Sequence, residues 1–391
     1  MTPSSGGFPM HTRTLYYEDC HLSHFTATVT GCQPGKGGYL VTLDATAFYP
    51  EGGGQPCDTG TLGHARVTDV QEENGNIYHL CDAPLTVGQP VEGRIDFARR
   101  FDFMQQHTGE HIVSGLIHKY FGWHNTGFHI GGEFMTVDFD GPVSPEDLAR
   151  IEREANQAVW ENIPLRCWTP EKEELPRIFY RTKRELPWPV RIVQVPGYDS
   201  CACCGIHVAA TGEVGLIKIF SCVKFHEGIR LEMACGRMAL EYMTAAFEQN
   251  RQVSQAFSAR ILETGEAARR MNDMLSAEKY RSAGLQMQLH AQIAKSYVNC
   301  KNVVHFDPAL KGTAVRELAD KIAGLCQGFA AVFSGSDDTG YSYCLVSREV
   351  DLRPLGKELT QQLNGRGGGK AECQQGSLKA TEAEIRSFFG E

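Results

Sequence analysis

Between residues 14 and 96 the apolar positions come in short β-branched runs, Thr26–Val29 and Tyr39–Leu43 among them, and glycine clusters separate the runs. Such runs, bounded by turn residues, predict a string of short strands. From Phe101 to Phe121 the period changes: Ile112, Leu116 and Tyr120 recur at helical steps and predict a helix with one buried face. A second helix is predicted from Ser144-Pro145 to Trp160, with Ser144 as cap and Pro145 at the first helical position. Phe220–Phe225 reads as a strand. Over 266–298, after a Thr264-Gly265 turn, Met271, Leu275, Leu285, Leu289, Ile293 and Tyr297 fall at helical spacing and predict one long amphipathic helix. It reads as a packed arm, a connector or a dimerising element. Beyond it the texture alternates: strand 303–306, helix 312–326, strands 329–333 and 341–346, helix 351–363.

This order predicts an α+β chain. A small N-terminal β-barrel-like domain covers 14–96, and an α+β metal-binding domain covers 97–248. A helical connector covers 249–300, and a C-terminal α/β domain covers 301–391. A length of 391 residues agrees with two or three domains.

Charge and cysteine content narrow the function. A net charge of -9 argues against coating nucleic acid by bulk attraction, though not against a local basic track. The one stretch of that kind carries Arg177, Arg181, Lys183, Arg184 and Arg191 among Phe179, Tyr180 and Trp188, and reads first as a solvated charged surface. The opening residues lack a basic start with an apolar run, and no run of 18 apolar residues occurs, so the expectation is a cytoplasmic protein without a membrane span. Fourteen cysteines in such a chain read as thiols or metal ligands rather than a disulfide framework.

His107-Thr108-Gly109-Glu110-His111 places two imidazoles one helical turn apart, close enough to share an ion. Three Cys-x-x-x-His pairs could complete the set: Cys20/His24, Cys203/His207 and Cys222/His226. Cys222 lies on the predicted strand, where four residues span about 13 Å, too far to chelate one ion. Cys203-Cys204-Gly205-Ile206-His207 follows an Asp199-Ser200 turn and can fold both ligands inward; Cys20/His24 stays open. Three imidazoles and a thiolate suit zinc, in a closed structural site or a catalytic one. Cys201 and Cys204 flank Cys203, but Cys203 alone keeps the four-residue step to His207. His107-x-x-Glu110-His111 also fits the inverted zinc-protease motif, with Glu110 as base and a later acid such as Glu185 as third ligand, which leaves Cys203/His207 unexplained.

Four ordered blocks carry a resemblance: Thr46–Gly60 with its Gly52-Gly53-Gly54-Gln55-Pro56 core; Met104–His111; Cys203–Val208 followed by Thr211–Gly215; and Gly365-Arg366-Gly367-Gly368-Gly369-Lys370 with Gln374-Gln375-Gly376. Together they resemble the alanyl-tRNA editing proteins of the long AlaX type, which are similar to the editing half of alanyl-tRNA synthetase and end in a DHHA1 domain. The resemblance starts near residue 14 and includes no aminoacylation domain, which implies action in trans on tRNA(Ala) wrongly charged with serine or glycine. It implies one zinc per chain on His107, His111, Cys203 and His207, the metal either polarising water or anchoring the substrate's amino end. It implies recognition of the serine hydroxyl by Thr46 and site roles for Gln105 and Arg230. Gly52, Gly53, Gly54 and Gln55 would allow close approach of the terminal adenosine, and Arg366 and Lys370 would flank a phosphate-facing loop on the tRNA body. A homodimer through the long helix or the C-terminal domain fits the same picture. The family usually has threonine where this chain has Ile206, and His129 lies in a matching stretch that also suits a core histidine. Two other readings keep parts of this set: editing of serine on tRNA(Thr), and a non-catalytic zinc-containing tRNA-binding protein. A DHHA1-type phosphoesterase needs an Asp-His-His motif, and the chain has none.

Overall fold

The computed structural model describes residues 11–132, 134–182 and 186–391. Two compact units divide at Gln252/Val253.

In the first unit six strands between His24 and Ile95 close into a barrel. Alternation fills it: Ile77, His79 and Cys81 point inward from one strand, Val91 and Ile95 from another. His79 is a buried polar group, and its hydrogen bonds are complete. Its Nδ1 lies 3.0 Å from the Val41 carbonyl, so Nδ1 carries the proton; Nε2 then accepts from the Thr46 hydroxyl at 2.8 Å, and Thr46 accepts from the Phe48 amide at 3.1 Å.

Burial pushes His79 down to about 4, against the smaller opposing effect of the Val41 bond. The folded state therefore holds the ring neutral, while the unfolded chain takes up its proton near pH 6.5. Its contribution is fully present above pH 6.5 and is lost as pH falls towards 4, by about 3 kcal/mol in total. The check is the His79 ring nitrogen signal in NMR, which should stay that of the neutral tautomer at pH 5; a protonated ring there refutes the assignment.

The chain leaves the barrel into α1 (Phe97–Phe121), capped by Asp96. Sequence periodicity predicts one buried face, but every residue from Met104 to Ile117 is buried, because α1 runs through the middle of the unit. It packs against α2 (Pro145–Glu161), the Asp199–Ala202 strand and the Gly228–Cys235 strand. Glycines permit this: a Cβ at Gly109 would lie 2.1 Å from Cys235 Sγ, and one at Gly115 2.4 Å from the Tyr198 carbonyl. Tyr120, expected on the buried face, is exposed. Ser144 caps α2 as the sequence indicates, accepting from the Asp147 amide.

Two antiparallel sheets flank α1. One has four strands, with Gly228–Cys235 between Ile217–Phe225 and Met135–Phe139, and Asn125–Ile130 at the edge. The other pairs Arg166–Trp168, Ile192–Val195 and Asp199–Ala202. Asp199-Ser200 is thus strand rather than turn; the turn falls at 196–198. α3 (Gly236–Ala256) follows the four-stranded sheet, and the unit boundary crosses its last turn.

The second unit contains α4 (Thr264–Lys295), which includes Thr264-Gly265 rather than following it. Of its apolar positions, Met271, Leu275, Leu285 and Leu289 are exposed, whereas Ala294 is buried. A five-stranded sheet comes next, in the order Val303–Phe306, Phe329–Ser336, Gly340–Ser347, Cys373–Leu378, Gly365–Lys370. The first pair is parallel and the rest antiparallel. α5 (Thr313–Ala323) buries Leu318 and Ile322, α6 (Arg353–Gln362) buries Leu359, and α7 (Glu382–Phe389) closes the unit on Ile385.

The sequence reads Gly365–Lys370 as a loop, but it is the edge strand of this sheet. Its glycines mark close packing: a Cβ at Gly367 would lie 2.3 Å from the Tyr343 hydroxyl and one at Gly369 2.1 Å from the Cys373 carbonyl. Arg366 and Lys370, an even number of residues apart, share the strand's other, exposed face.

Candidate metal centre and cavity

α1 presents His107 and His111 on one face, and the loop after the Asp199–Ala202 strand brings Cys203 and His207 to meet them. The four donor atoms lie within 4.8 Å of one another. Cys203 Sγ is 3.4 Å from His107 Nε2 and 3.5 Å from His207 Nε2. Zn–S near 2.3 Å and Zn–N near 2.0 Å at a tetrahedral angle give a sulfur–nitrogen edge of about 3.5 Å, so the spacing fits the ion.

Each histidine is held by its other nitrogen. His107 Nδ1 donates to Gln55 Oε1 at 2.9 Å, and His111 Nδ1 donates to Asp199 Oδ2 at 3.0 Å. His207 Nδ1 lies 3.2 Å from Thr108 Oγ1. All three rings therefore turn Nε2 to the centre, the arrangement that fixes tautomer and orientation in metal sites. Burial pushes the Cys203 thiol up, but the charge on His107 and bonds to His107, His111 and His207 outweigh it and hold the thiol well below its ordinary value. For Cys201 burial prevails and pushes the thiol up to about 11. Cys203 is the sulfur suited to act as thiolate.

The ligand loop is braced on both sides. Arg191 donates to the carbonyls of Cys203 and Gly205, both at 2.9 Å, and stacks on Tyr17, whose hydroxyl donates to the Cys204 carbonyl at 2.5 Å. Arg181 grips Asp199 with two bonds of 2.7 and 2.9 Å. Two members of the basic track are thus engaged braces rather than solvated charges; Lys183, Arg184 and the alternative ligand Glu185 lie outside the described residues. Gly205 is required by proximity, since a Cβ there would lie 2.1 Å from His107 Cε1.

Gly52 and Gln55 exchange backbone bonds of 3.1 and 3.0 Å around Gly53 and Gly54, both in the left-handed region at φ 61° and 84°. This is the backbone of a tight two-residue turn that glycine suits. The turn delivers Gln55 to the centre, where Oε1 also accepts from the Ile206 amide at 3.2 Å. Replacing Gln55 by alanine removes the acceptor for His107, and metal affinity should fall by about 10- to 100-fold. Gln55→Glu, which keeps an acceptor, should hold affinity near wild type. Competition against a coloured zinc chelator reads both; equal losses in the two variants contradict the assigned role.

The centre opens into a cavity of ≈ 620 Å³ walled by Gly53, Gly54, Glu110, Asn125, Phe128, Arg181, Cys203 and Cys204 together with His107 and His111. That is within the range of small-molecule sites. Other sequence candidates stand elsewhere. Thr46 is fully buried, its hydroxyl engaged by His79 and Phe48, and it is not part of the cavity wall. Gln105 ties α1 to the Glu213 carbonyl and the Arg237 amide. Arg230 forms a two-bond ion pair with Asp138 and lies over Phe225. His129 is exposed rather than a core residue, and so is Cys222. Cys20 lies against His21, beside Asp19, in an exposed group of its own. Sequence reasoning missed Thr108, Asp199, Arg191 and Tyr17 as site residues. Thr108 could have been found from its position between the two histidines; the others carry no local signal.

Residues 8–99 match the family tRNA synthetases class II (A), and residues 190–230 match the threonyl and alanyl tRNA synthetase second additional domain. The alanine–tRNA ligase of Thermofilum pendens is 31% identical over 397 residues, 95% of this chain and 43% of the ligase. That of Pyrococcus abyssi is 31% identical over 395 residues, 94% of this chain and 42% of the ligase. The chain thus spans less than half the length of these ligases. The alanyl-tRNA editing protein Aarsd1 of Mus musculus is 26% identical over 402 residues, 95% of each chain. With matches of this extent and the four-donor centre, the chain fits the alanyl-tRNA editing proteins of the AlaX type, to which it is similar over nearly its whole length.

Proposed function

We propose that this chain is a zinc-dependent hydrolase that removes a wrongly attached amino acid, serine foremost and glycine second, from tRNA(Ala) in trans. The observation that carries the reading is the convergence of three oriented imidazoles and the Cys203 thiolate beside a cavity open enough for a tRNA terminus. The need for such an activity is physical: a pocket built for alanine cannot exclude a smaller side chain and rejects one added hydroxyl only weakly, so a second sieve is required.

His107, His111, Cys203 and His207 hold one zinc, which supplies Lewis-acid chemistry when bound. Gln55, Asp199 and Thr108 keep the rings aligned, and Arg191 and Arg181 keep the loop and its carboxylate in place. Gly53 and Gly54 let backbone approach the terminal adenosine without a side chain in between. Thr46, Gln105 and Arg230 act on the site through the barrel, α1 and the sheet. Thr46→Val therefore tests whether serine recognition reaches that hydroxyl. In the second unit, the exposed face of Arg366 and Lys370 on a flat glycine strand suits phosphate oxygens and serves as the tRNA-body contact of a DHHA1-like domain. The exposed apolar positions of α4 serve a homodimer.

The test is release of serine from serine-charged tRNA(Ala) by the purified protein. Release should stop on adding a chelator and return with zinc. Serine-charged tRNA(Thr) run alongside should be cleaved more slowly. No release above the spontaneous rate overturns the reading, and equal cleavage of both tRNAs overturns the assignment to alanine.

A further inference from the structure

Glu110 sits between the two α1 histidines in sequence but outside their donor group in space. It is buried, its side chain 5% exposed, and it forms part of the cavity wall. Oε1 is committed: it accepts from the Ser114 hydroxyl and, at 2.5 Å, from Asn125 Nδ2, and Asn125 is itself a wall residue. Oε2 lies 4.0 Å from His111 Nε2, beside the metal position. Among the described residues Oε2 accepts no hydrogen bond, and Arg181 in the same wall is gripped by Asp199. Asn125 adds a second acceptor to this corner, since its Oδ1 is buried with no partner.

Oε2 is thus an acceptor in the cavity wall whose direction is fixed by the bonds to Oε1 and whose own hydrogen-bond position is open, and a ligand with N–H donors fills it. The ligand that completes it brings hydrogen-bond donors within a few ångströms of the reacting ester, and a charged donor makes the stronger bond to a carboxylate. An α-ammonium group does both, being separated from the ester carbonyl by one carbon.

We propose that Glu110, oriented by Ser114 and Asn125, is the subsite for the α-ammonium group of the substrate, so that the cavity selects aminoacyl esters over acyl esters that lack the amine. The proposal rests on the deacylase reading and adds a recognition element to it. Glu110 is then a substrate-binding residue, and its loss is felt only by substrates that carry the amine.

The experiment compares the adenosine 3′-ester of serine with that of glyceric acid, which differs only in hydroxyl for amine. Wild type and Glu110→Gln, both zinc-loaded, are assayed with each. A charge-assisted hydrogen bond predicts that wild type prefers the seryl ester by about 10- to 100-fold, mostly in KM, and that Glu110→Gln brings the ratio near one by slowing the seryl ester alone. Calorimetric binding of the non-hydrolysable 3′-amides of the two acids should show the same preference in wild type and its loss in the variant. Equal handling of the two acids by wild type overturns the proposal, and needs no variant. Equal slowing of both esters by Glu110→Gln overturns it too, since that is the signature of a proton-transfer role. A preference that survives in the variant places the amine on another group, and so also refutes it. If neither ester is cleaved but the amides bind with the predicted preference, the deacylase reading fails and the ammonium subsite stands.

Discussion

Cys203→Ala and His207→Ala should each leave the purified protein with little bound zinc, while Cys222→Ala, Cys201→Ala and Cys204→Ala keep about one equivalent per chain. Loss of a direct ligand should weaken binding by more than the ~100-fold that follows from removing a supporting hydrogen bond. The separation of the four cysteines is geometric. Cys203 Sγ lies 3.4 and 3.5 Å from two imidazole nitrogens, whereas Cys222 stands exposed on the Ile217–Phe225 strand and Cys204 is exposed beyond the turn at Gly53. Cys201 lies near His111 and Asp199, but its thiol is held up by burial and does not share the four-donor group. Metal analysis after dialysis against a zinc buffer decides it. Full zinc in Cys203→Ala with loss in Cys201→Ala or Cys204→Ala would refute the ligand set. Serine release from charged tRNA should fall in step with zinc content across the series.

The grouping of the four side chains was legible in part from spacing, one helical turn for His107 and His111 and a short loop for Cys203 and His207. Spacing left Cys20/His24 open, and the ordered motifs had to choose between the pairs. The supports of the four donors were not legible. Asp199 reads as part of a turn until the strand pairing with Ile192–Val195 turns it towards His111. Arg181 and Arg191 read as solvent-facing charge because nothing local distinguishes a brace from a surface cation; only the fold brings them to Asp199 and to the Cys203 carbonyl. Thr46 shows the converse case. The motif around it marks the site, but its own hydroxyl is consumed by His79, a partner thirty-three residues away in the barrel. α2 was readable from its Ser144-Pro145 start, and α5 from the alternating texture of the C-terminal segment. α1 was half-read, since a helix buried on all sides has no face for a period to reveal. Three glycines in a row suggested a loop at Gly365–Lys370, whereas their small size serves close strand packing.

Arg100→Met should be among the most destabilising single changes in the first unit, at about 3–5 kcal/mol, the range for breaking a buried ion pair by removing one partner. Arg100 is fully buried and Asp58 nearly so. The guanidinium Nε donates to both Asp58 oxygens at 3.2 and 3.0 Å, and Nη2 donates to Asp58 and to the Ala47 carbonyl. Asp58 also accepts from the Tyr49 amide at 2.6 Å. Without Arg100 the carboxylate keeps that one donor, and the Ala47 carbonyl loses its own. Asp58→Asn should cost a similar amount for the mirror reason, a buried guanidinium with no counter-charge. The double variant should cost less than the two singles added, because the charge left stranded in each is then absent. Arg100→Lys should fall between, since an ammonium keeps the charge but not the fork that reaches Asp58 and Ala47 together. Tryptophan fluorescence during urea unfolding isolates the effect, for Trp123, Trp160, Trp168 and Trp188 all lie in the first unit. Strict additivity, or single costs under about 1 kcal/mol, would show the pair to be marginal. The consequence reaches the metal. Asp58 follows Gln55 by three residues, and Arg100 lies in the first turn of the helix that carries His107, so this pair ties the segment bearing Gln55 to the helix bearing His107. In Arg100→Met, zinc affinity measured where the protein is still folded should therefore fall towards that of Gln55→Ala. An unchanged affinity would mean that the glycine turn holds Gln55 in place without the ion pair beneath it.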